Sequence, residues 1–192
     1  PEAFYTAMQD LKHFRHAHFI GNVDPDEACL VLDNVELSKC LVAVVSKSGT
    51  TIETHTNELM VRDQYIKEGL DPKNYFVAIT MPGTPMDNSR EYLEVFHLWD
   101  WVGGRYSTSS MVGGVLIAFV YGFDVYIEFL KGAHDMDLAA LRKDLKFNIP
   151  LTVALLGIWN RNFLLYPTTA VIPYSQALKQ IGRASCRERV SS

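Results

Sequence analysis

The sequence predicts an α/β fold, specifically a doubly wound, mostly parallel sheet with helices on both faces. Two short apolar, β-branched runs, Leu41–Val45 and Tyr75–Thr80, are typical of strands that are buried on both sides. Segments with helical features separate the apolar runs, and this alternation favours parallel strands joined by crossover helices. The chain has 192 residues, of which 48% are hydrophobic, so it can bury a substantial core. We therefore expect a single domain over residues 1–180.

Local signals predict the other elements in the first half of the chain. Apolar residues at helical spacing predict a helix over Glu2–Phe14, and an apolar run predicts a strand over His18–Val23. The pair Asp24-Pro25 is typical of a helix N-terminus. A longer helix is predicted over Ile52–Glu68, ended by Gly69.

Helices predominate in the second half of the chain. A Pro/Gly-rich loop is followed by a short strand, and a last strand is predicted near the C-terminus. The predicted strands are Val95–Leu98 and Thr168–Ile172, and the predicted helices are Ser109–Tyr121, Val125–Leu130, Met136–Leu145, Leu151–Leu165 and a final one after Pro173-Tyr174-Ser175.

Residues 181–192 differ from the rest of the chain. They are rich in arginine, show no apolar pattern, and resemble a translated sequencing adapter. We interpret them as a non-native tail and leave them out of the fold prediction.

Charge and composition argue against several classes of partner. The formal net charge is −4 and no basic run stands out before the last dozen residues, so nucleic acid is not expected as a partner. No apolar stretch is long enough to span a membrane and no signal peptide is visible, so we expect no membrane association and a cytoplasmic location. Cys29 and Cys40 are interpreted as buried thiols of a reducing compartment.

The segment Ser46–Thr51, here called the hydroxyl turn, is the strongest functional signal. It follows an apolar strand and precedes a helix, whose first turn presents unpaired N–H groups and the positive end of the helix dipole. Hydroxyl side chains surround Gly49, which permits close approach of the backbone to a ligand. An ordinary N-cap explains one hydroxyl group but not several, so we favour an anion site.

A second segment, Gly103–Arg105, here called the glycine–arginine segment, precedes a serine-rich helix start. A guanidinium held by such a turn can stabilise negative charge that develops on an oxygen atom. Taken alone, the segment also fits a structural turn with a surface arginine. The neighbouring Trp99, Trp101 and Tyr106 are expected to pack in the core around it.

Together, SKSGTTIET and DWVGGRYSTSS resemble the two signatures of the glucose-6-phosphate isomerase family, whose sugar-isomerase fold binds phosphosugars. GAHDMD, LLGIW and VIPYSQAL match the same family in the same order, so the resemblance covers nearly all of residues 1–180. It implies aldose–ketose isomerisation between glucose 6-phosphate and fructose 6-phosphate through an enediolate. It also implies a full-length homodimer. No cofactor is expected, and no metal, because the cysteines and histidines lack the spacing of a metal site.

The resemblance assigns roles by position. Phosphate ligands are expected from the hydroxyl turn and the helix that follows it, with Lys47 contributing its backbone and charge. Arg105 is expected to stabilise the enediolate, and Gly104 to form part of the pocket wall. The residues implied as phosphate ligands are Ser46, Ser48, Thr51 and Thr54.

Other expected family features are missing from these 192 residues. The family's catalytic glutamate lies in a Glu-Ser-Asn-Gly-Lys motif, and neither that motif nor the family's Gly-Ser-rich segment is present. We therefore expect an internal piece of the enzyme that is inactive alone.

Two other functions remain open from the sequence. A non-catalytic sugar-isomerase module that senses a phosphosugar shares the hydroxyl turn, but it is not expected to carry DWVGGR. A nucleotide-binding P-loop needs G-x-x-x-x-G-K-[ST], whereas here the lysine precedes the single glycine of the turn.

Overall fold

A computed structural model describes residues 1–178, except for the side chains of Arg105 and Gln176. The predicted non-native tail lies outside the described residues. The chain groups into two compact units. The first consists of Pro1 and residues 16–116, and the second of residues 2–15 with the described residues from 117 onward. The single domain over residues 1–180 stays a prediction.

The described residues contain six α-helices and three β-strands. In chain order, the helices are α1 (Glu2–Ala7), α2 (Pro25–Leu32), α3 (Ile52–Lys67), α4 (Met111–Tyr121), α5 (Phe123–Ala140) and α6 (Ile149–Ile158). The strands are β1 (Val42–Val45), β2 (Phe76–Thr80) and β3 (Glu94–His97). These strands confirm three of the predicted strands to within a residue or two.

The strands form a parallel sheet in the order β1-β2-β3. Val44 is in register with Ala78, and Ala78 is in register with Val95. All five residues of β2 are buried, as expected for a central strand covered on both faces. The α/β class with a parallel sheet is therefore confirmed.

Alternating side chains of β2 pack into two cores on opposite faces of the sheet. Phe76 and Ala78 pack with Val61 and Tyr65 of α3. Ile79 points to the other face, where it packs with Leu98 and Val112, the latter from the first turn of α4. Helices therefore cover both faces, and the carboxyl ends of the strands are left for the loops that carry the candidate site.

Helix caps follow the sequence signals. The Asp24 side chain accepts a hydrogen bond from the Asp26 N–H and begins α2 at Pro25. Gly69, with φ +75°, follows the end of α3. A left-handed backbone at this position favours glycine, as the sequence predicted.

Three predicted elements differ in the structure. His18–Val23 and Thr168–Ile172 are not strands, because they have no strand partner among the described residues. Helix α1 ends at Ala7 rather than at Phe14, where the backbone N–H instead donates to the Val120 carbonyl at 2.8 Å.

The second unit also differs from the prediction in its helices. The first predicted short helix, Val125–Leu130, and the first half of the second, Met136–Leu145, form the continuous helix α5, which includes Gly132 and ends at Ala140. The predicted helix Leu151–Leu165 begins earlier as α6 and continues into a π-helical turn, Trp159–Phe163. The final predicted helix is a short 3₁₀ turn, Gln176–Leu178, as far as the described residues extend.

Two further observations concern exposure. Cys29 is exposed and Cys40 is only partly buried, so the prediction of buried thiols is wrong. Cys29 occupies the solvent side of α2, whose buried residue is the adjacent Ala28. Among residues 1–178, no helix is both long and apolar enough to cross a bilayer.

Candidate functional site

The hydroxyl turn lies at the carboxyl end of the sheet, where β1 ends and α3 has not yet begun. Its backbone is fixed to the neighbouring strand β2. The Ser46 N–H donates to the Ile79 carbonyl at 3.1 Å, and the Met81 N–H donates to the Lys47 carbonyl at 3.2 Å. The turn is therefore held in place by the sheet and not by the helix alone.

Hydroxyl groups within the turn contact each other. Ser46 is 5% exposed, and its Oγ lies 2.9 Å from Thr51 Oγ1. The same Ser46 oxygen accepts the Gly49 N–H at 3.1 Å. The Thr50 hydroxyl donates to Ser48 Oγ at 2.9 Å, and both of these side chains are exposed. The turn thus has an ordered inner edge and an exposed outer edge.

The first turn of α3 is open to an anion. Thr51 is the N-cap residue, but its side chain makes no capping hydrogen bond. The first N–H groups of a helix have no partner inside it, and the helix dipole places partial positive charge there. Thr54, partly buried, lies in this first turn. Hydroxyl groups and free backbone N–H groups are the donors that bind phosphate esters.

Gly49 closes the turn against the loop that follows β2. Its φ of +66° is unfavourable for other residues. A Cβ atom at this position would lie 3.0 Å from the Cβ of Thr84 and 3.2 Å from the Met86 nitrogen. Thr84 is itself fixed, because its hydroxyl lies 2.8 Å from that of the buried Thr80. Glycine is required here for both conformation and space.

The loop that contains Thr84 is further held by Asp87. This carboxylate lies 2.9 Å from His97 Nε2 and accepts the Gly83 N–H at 2.8 Å. The hydrogen bond with His97, and then that with Gly83, lowers the pKa of Asp87 below its ordinary value of 3.8. Because the folded-state pKa is lowered, this bracing is present above pH 3.8 and is lost as the pH falls through the lowered pKa.

Lys47 connects the hydroxyl turn to the chain that follows β3. Its ammonium group donates to the Asp100 carbonyl oxygen. Because β1 and β3 flank β2, the lysine side chain crosses the carboxyl end of the central strand to make this bond. The structure therefore brings the hydroxyl turn and the chain just before the glycine–arginine segment together.

The glycine–arginine segment leads into a 3₁₀ helix, Gly104–Ser109. The Ser107 hydroxyl donates to the Gly104 carbonyl at 2.7 Å, and Ser107 is buried. Gly104 and the backbone of Arg105 are thus in an ordered turn. The guanidinium of Arg105 lies outside the described part of the structure, so its role stays a prediction.

The aromatic residues beside this segment are not in the core. Trp99 and Trp101 are 57% and 75% exposed, and Tyr106 is also exposed, so the prediction of core packing is wrong. The two indole rings stack on each other instead, with centroids 5.3 Å apart and planes inclined by 4°. They flank Asp100, the residue that accepts the lysine bond.

The sequence pattern did not identify the residues that support the turn. Thr80 and Thr84 brace Gly49, and the Asp100 carbonyl accepts the Lys47 ammonium. One signal was present, because Thr80 is a hydroxyl residue at the end of an otherwise apolar strand. The Asp100 carbonyl could not be predicted as an acceptor, because every residue has a backbone carbonyl group.

No group of His, Cys, Asp and Glu side chains within residues 1–178 is arranged to hold a metal ion.

Comparison with known proteins gives a consistent match. A family model described as phosphoglucose isomerase matches residues 1–185. A glucose-6-phosphate isomerase of Protochlamydia amoebophila is 59% identical over 180 residues, which is 93% of this chain and 34% of the relative. The corresponding protein of Chlamydia caviae is 54% identical over the same shares of the two chains.

Two solved structures share the fold. A glucose-6-phosphate isomerase from Chlamydia trachomatis has a TM-score of 0.92 and 50% identity, covering 95% of this chain and 36% of that one. A hypothetical protein from Thermus thermophilus has a TM-score of 0.70 and 30% identity, and the match covers 84% of this chain and 39% of that one. The chain spans about one third of the length of the curated relatives that it matches.

Proposed function

The chain belongs to the phosphoglucose isomerase family, and we propose that it is the phosphate-binding segment of a glucose-6-phosphate isomerase. The observation that carries this proposal is the hydroxyl turn, which is fixed to the carboxyl end of a parallel sheet directly before the uncapped N-terminus of α3. The reaction is the interconversion of glucose 6-phosphate and fructose 6-phosphate. It proceeds by proton transfer between C1 and C2 through an enediolate.

The substrate phosphate is held by donors from the turn and from α3. Ser48 and Thr51 present exposed side chains, and Ser46 orients Thr51 through their 2.9 Å contact. Thr54 adds a hydroxyl from the first turn of α3. The Lys47 backbone lies in the hydroxyl turn. Several weak donors and a helix dipole together favour a dianion over a neutral sugar.

The reactive carbons lie toward the glycine–arginine segment in this proposal. Arg105 stabilises the negative charge that develops on the enediolate oxygens, and Gly104 forms part of the pocket wall. The bond from Lys47 to the Asp100 carbonyl supports this arrangement, because it joins the chain just before that segment to the hydroxyl turn. A guanidinium placed before reaction stabilises charge without reorganisation.

The remaining parts of the proposal concern the whole protein. It acts as a cytoplasmic homodimer, needs no cofactor or metal, and does not bind nucleic acid. The carboxylate that moves the proton is not among these 192 residues, so the segment alone does not isomerise the sugar. Large apolar side chains on the exposed side of α6, such as Val153 and Leu156, are consistent with a surface that is covered in the complete enzyme.

A coupled assay tests the proposal. Full-length protein that contains this segment is expected to form fructose 6-phosphate from glucose 6-phosphate, and the isolated chain is expected to form none. Formation of fructose 6-phosphate by the isolated chain would overturn the assignment of the base. If the full-length protein binds the phosphosugar without turnover, the sensing module is the correct function.

Replacement of Gly49 by alanine is expected to weaken phosphosugar binding. The left-handed backbone adds about 1–2 kcal/mol of strain, and the new Cβ atom would contact Thr84 at 3.0 Å. The turn must shift, so we expect the KM of the full-length enzyme for glucose 6-phosphate to rise about tenfold, a change worth about 1.4 kcal/mol.

Gly69→Ala is the matched control for that change. Gly69 has φ +75°, and apart from the glycine and its two chain neighbours no heavy atom of the described residues lies within 4 Å of the position that a Cβ atom would take there. The substitution therefore introduces the same type of strain at the end of α3 without a contact. We expect a similar loss of stability with an unchanged KM. Equal KM values for the two variants would contradict the role given to the shape of the turn.

A further inference from the structure

We infer that Lys47 is a positioning residue, whose side chain ties the hydroxyl turn to Asp100, just before the glycine–arginine segment, instead of binding the phosphate. This inference rests on the proposed function, because it concerns the same site. Its starting point is the bond from the Lys47 ammonium to the Asp100 carbonyl oxygen. The backbone of Lys47 remains part of the hydroxyl turn.

The chain segments on both sides of this bond are attached to the end of β2 by other hydrogen bonds. On one side, the Lys47 carbonyl accepts the Met81 N–H at 3.2 Å and the Thr80 hydroxyl at 3.4 Å, which fixes the residue to the end of β2. On the other side, the Leu98 N–H donates to the Thr80 carbonyl at 2.9 Å, just before Asp100. Thr80, which is fully buried, thus bonds to both segments.

Between Leu98 and the 3₁₀ helix, the described backbone hydrogen bonds are local. The Val102 N–H donates to the Trp99 carbonyl at 3.1 Å, which forms a single turn around Asp100. Trp99 and Trp101 are exposed and stack on each other, so they do not fasten this turn to the core. The lysine bond attaches Asp100, in the middle of this turn, to the end of the sheet that carries the hydroxyl turn.

Charge and geometry explain why a lysine suits this role. An ammonium group is a compact donor on a flexible stem, and it can cross the end of β2 to a carbonyl without a carboxylate partner. A displacement of about 1 Å in a positioning contact can cost up to about a hundredfold in rate.

The kinetics of a Lys47→Met variant of the full-length enzyme test the inference. A positioning role predicts that kcat falls about 10- to 100-fold while KM changes less than about twofold. A direct contact with the phosphate predicts the opposite pattern, in which KM rises at least about tenfold and kcat is retained. That second pattern would overturn the inference.

Three companion variants make the result specific. Lys47→Arg keeps a donor of sufficient length, so it is expected to recover most of kcat. Lys67→Met removes an exposed lysine that pairs with Asp63 on α3, and it is expected to change kcat less than about twofold. In an Arg105→Ala background, Lys47→Met should cost less than about threefold more, because the group it positions is already missing.

The outcomes separate the inference from the proposed function. If the unchanged full-length protein has no isomerase activity, the proposed function fails. If it is active and Lys47→Met leaves kcat within about twofold of the unchanged enzyme, the inference fails while the function stands. Additive losses in the Lys47→Met, Arg105→Ala double variant would also contradict a shared role.

Discussion

We expect Arg105→Ala to lower the kcat of the full-length enzyme at least about a hundredfold, while the KM for fructose 6-phosphate changes less than about threefold. The enediolate carries more negative charge on its oxygens than the bound sugar does, so a guanidinium at this place acts mainly in the transition state. Removal of one such donor typically costs about a hundred- to a thousandfold in kcat. Steady-state kinetics in both directions measure the effect.

Two variants control this prediction. Arg90→Ala removes an exposed arginine from the loop before β3, and it is expected to leave kcat and KM unchanged. Arg105→Lys keeps the charge but loses the planar, forked donor, so an intermediate kcat is expected. If Arg105→Ala raises KM and leaves kcat unchanged, the arginine binds substrate and does not stabilise the enediolate.

Glu58→Ala destabilises the protein by about 3–5 kcal/mol, which is the usual cost of removing one partner of a buried ion pair. The Glu58 carboxylate, 7% exposed, accepts bonds at 2.7 Å from both Arg62 Nε and the Tyr92 hydroxyl. The Arg62 guanidinium also lies over the rings of Phe76 and Tyr92, at 4.5 and 4.9 Å from their centroids. Alanine leaves the guanidinium without its anion and the phenol without its acceptor.

Burial is the main cause that raises the pKa of the Tyr92 hydroxyl, and the bond to Glu58 is the second. The hydroxyl is therefore a neutral donor at neutral pH. Glu58→Gln keeps an acceptor for the phenol and is expected to lose less stability than Glu58→Ala. Urea denaturation followed by circular dichroism measures the difference in the free energy of unfolding.

Asp63→Ala is the matched control, because the Asp63–Lys67 pair has the same spacing on the same helix but is about 60% exposed. It is expected to cost less than about 1 kcal/mol. A loss of equal size for Asp63→Ala and Glu58→Ala would show that burial of the Glu58 network contributes nothing.

The sheet could be predicted from the sequence because its strands carry their own signal. A central strand covered on both faces is expected to be largely apolar, and β2 meets that condition at every residue except its last, Thr80. The adjacent helix α3 carries a stop signal at Gly69, which the structure places at φ +75°. Local chemistry fixes such features, so a single sequence is sufficient to find them.

The errors arose where distant contacts decide the structure. His18–Val23 has the apolar composition of a strand, but pairing requires a partner that composition does not specify. The helix over Glu2–Phe14 is shorter than its spacing suggests, because Phe14 bonds to Val120. Two separate helices were predicted on either side of Gly132, yet α5 continues through this glycine at a cost of about 1 kcal/mol.

The candidate site shows the same division. The hydroxyl turn could be predicted because serine, threonine and glycine residues between a strand and a helix are typical of an anion site. The contacts that hold the turn in place could not be predicted, since they involve Thr84 from a separate loop and the backbone of Asp100. The exposure of Trp99 and Trp101 was also missed, because large aromatic residues are usually expected in a core.

Titration of the isotope-labelled chain with glucose 6-phosphate, followed by the backbone amide NMR signals, tests the central claim most directly. The claim predicts that the signals of residues 48–51 and of the first turn of α3 shift with glucose 6-phosphate and with inorganic phosphate, but not with glucose. Shifts of the same size with glucose, or shifts that leave these residues unchanged, would contradict phosphate binding at this turn.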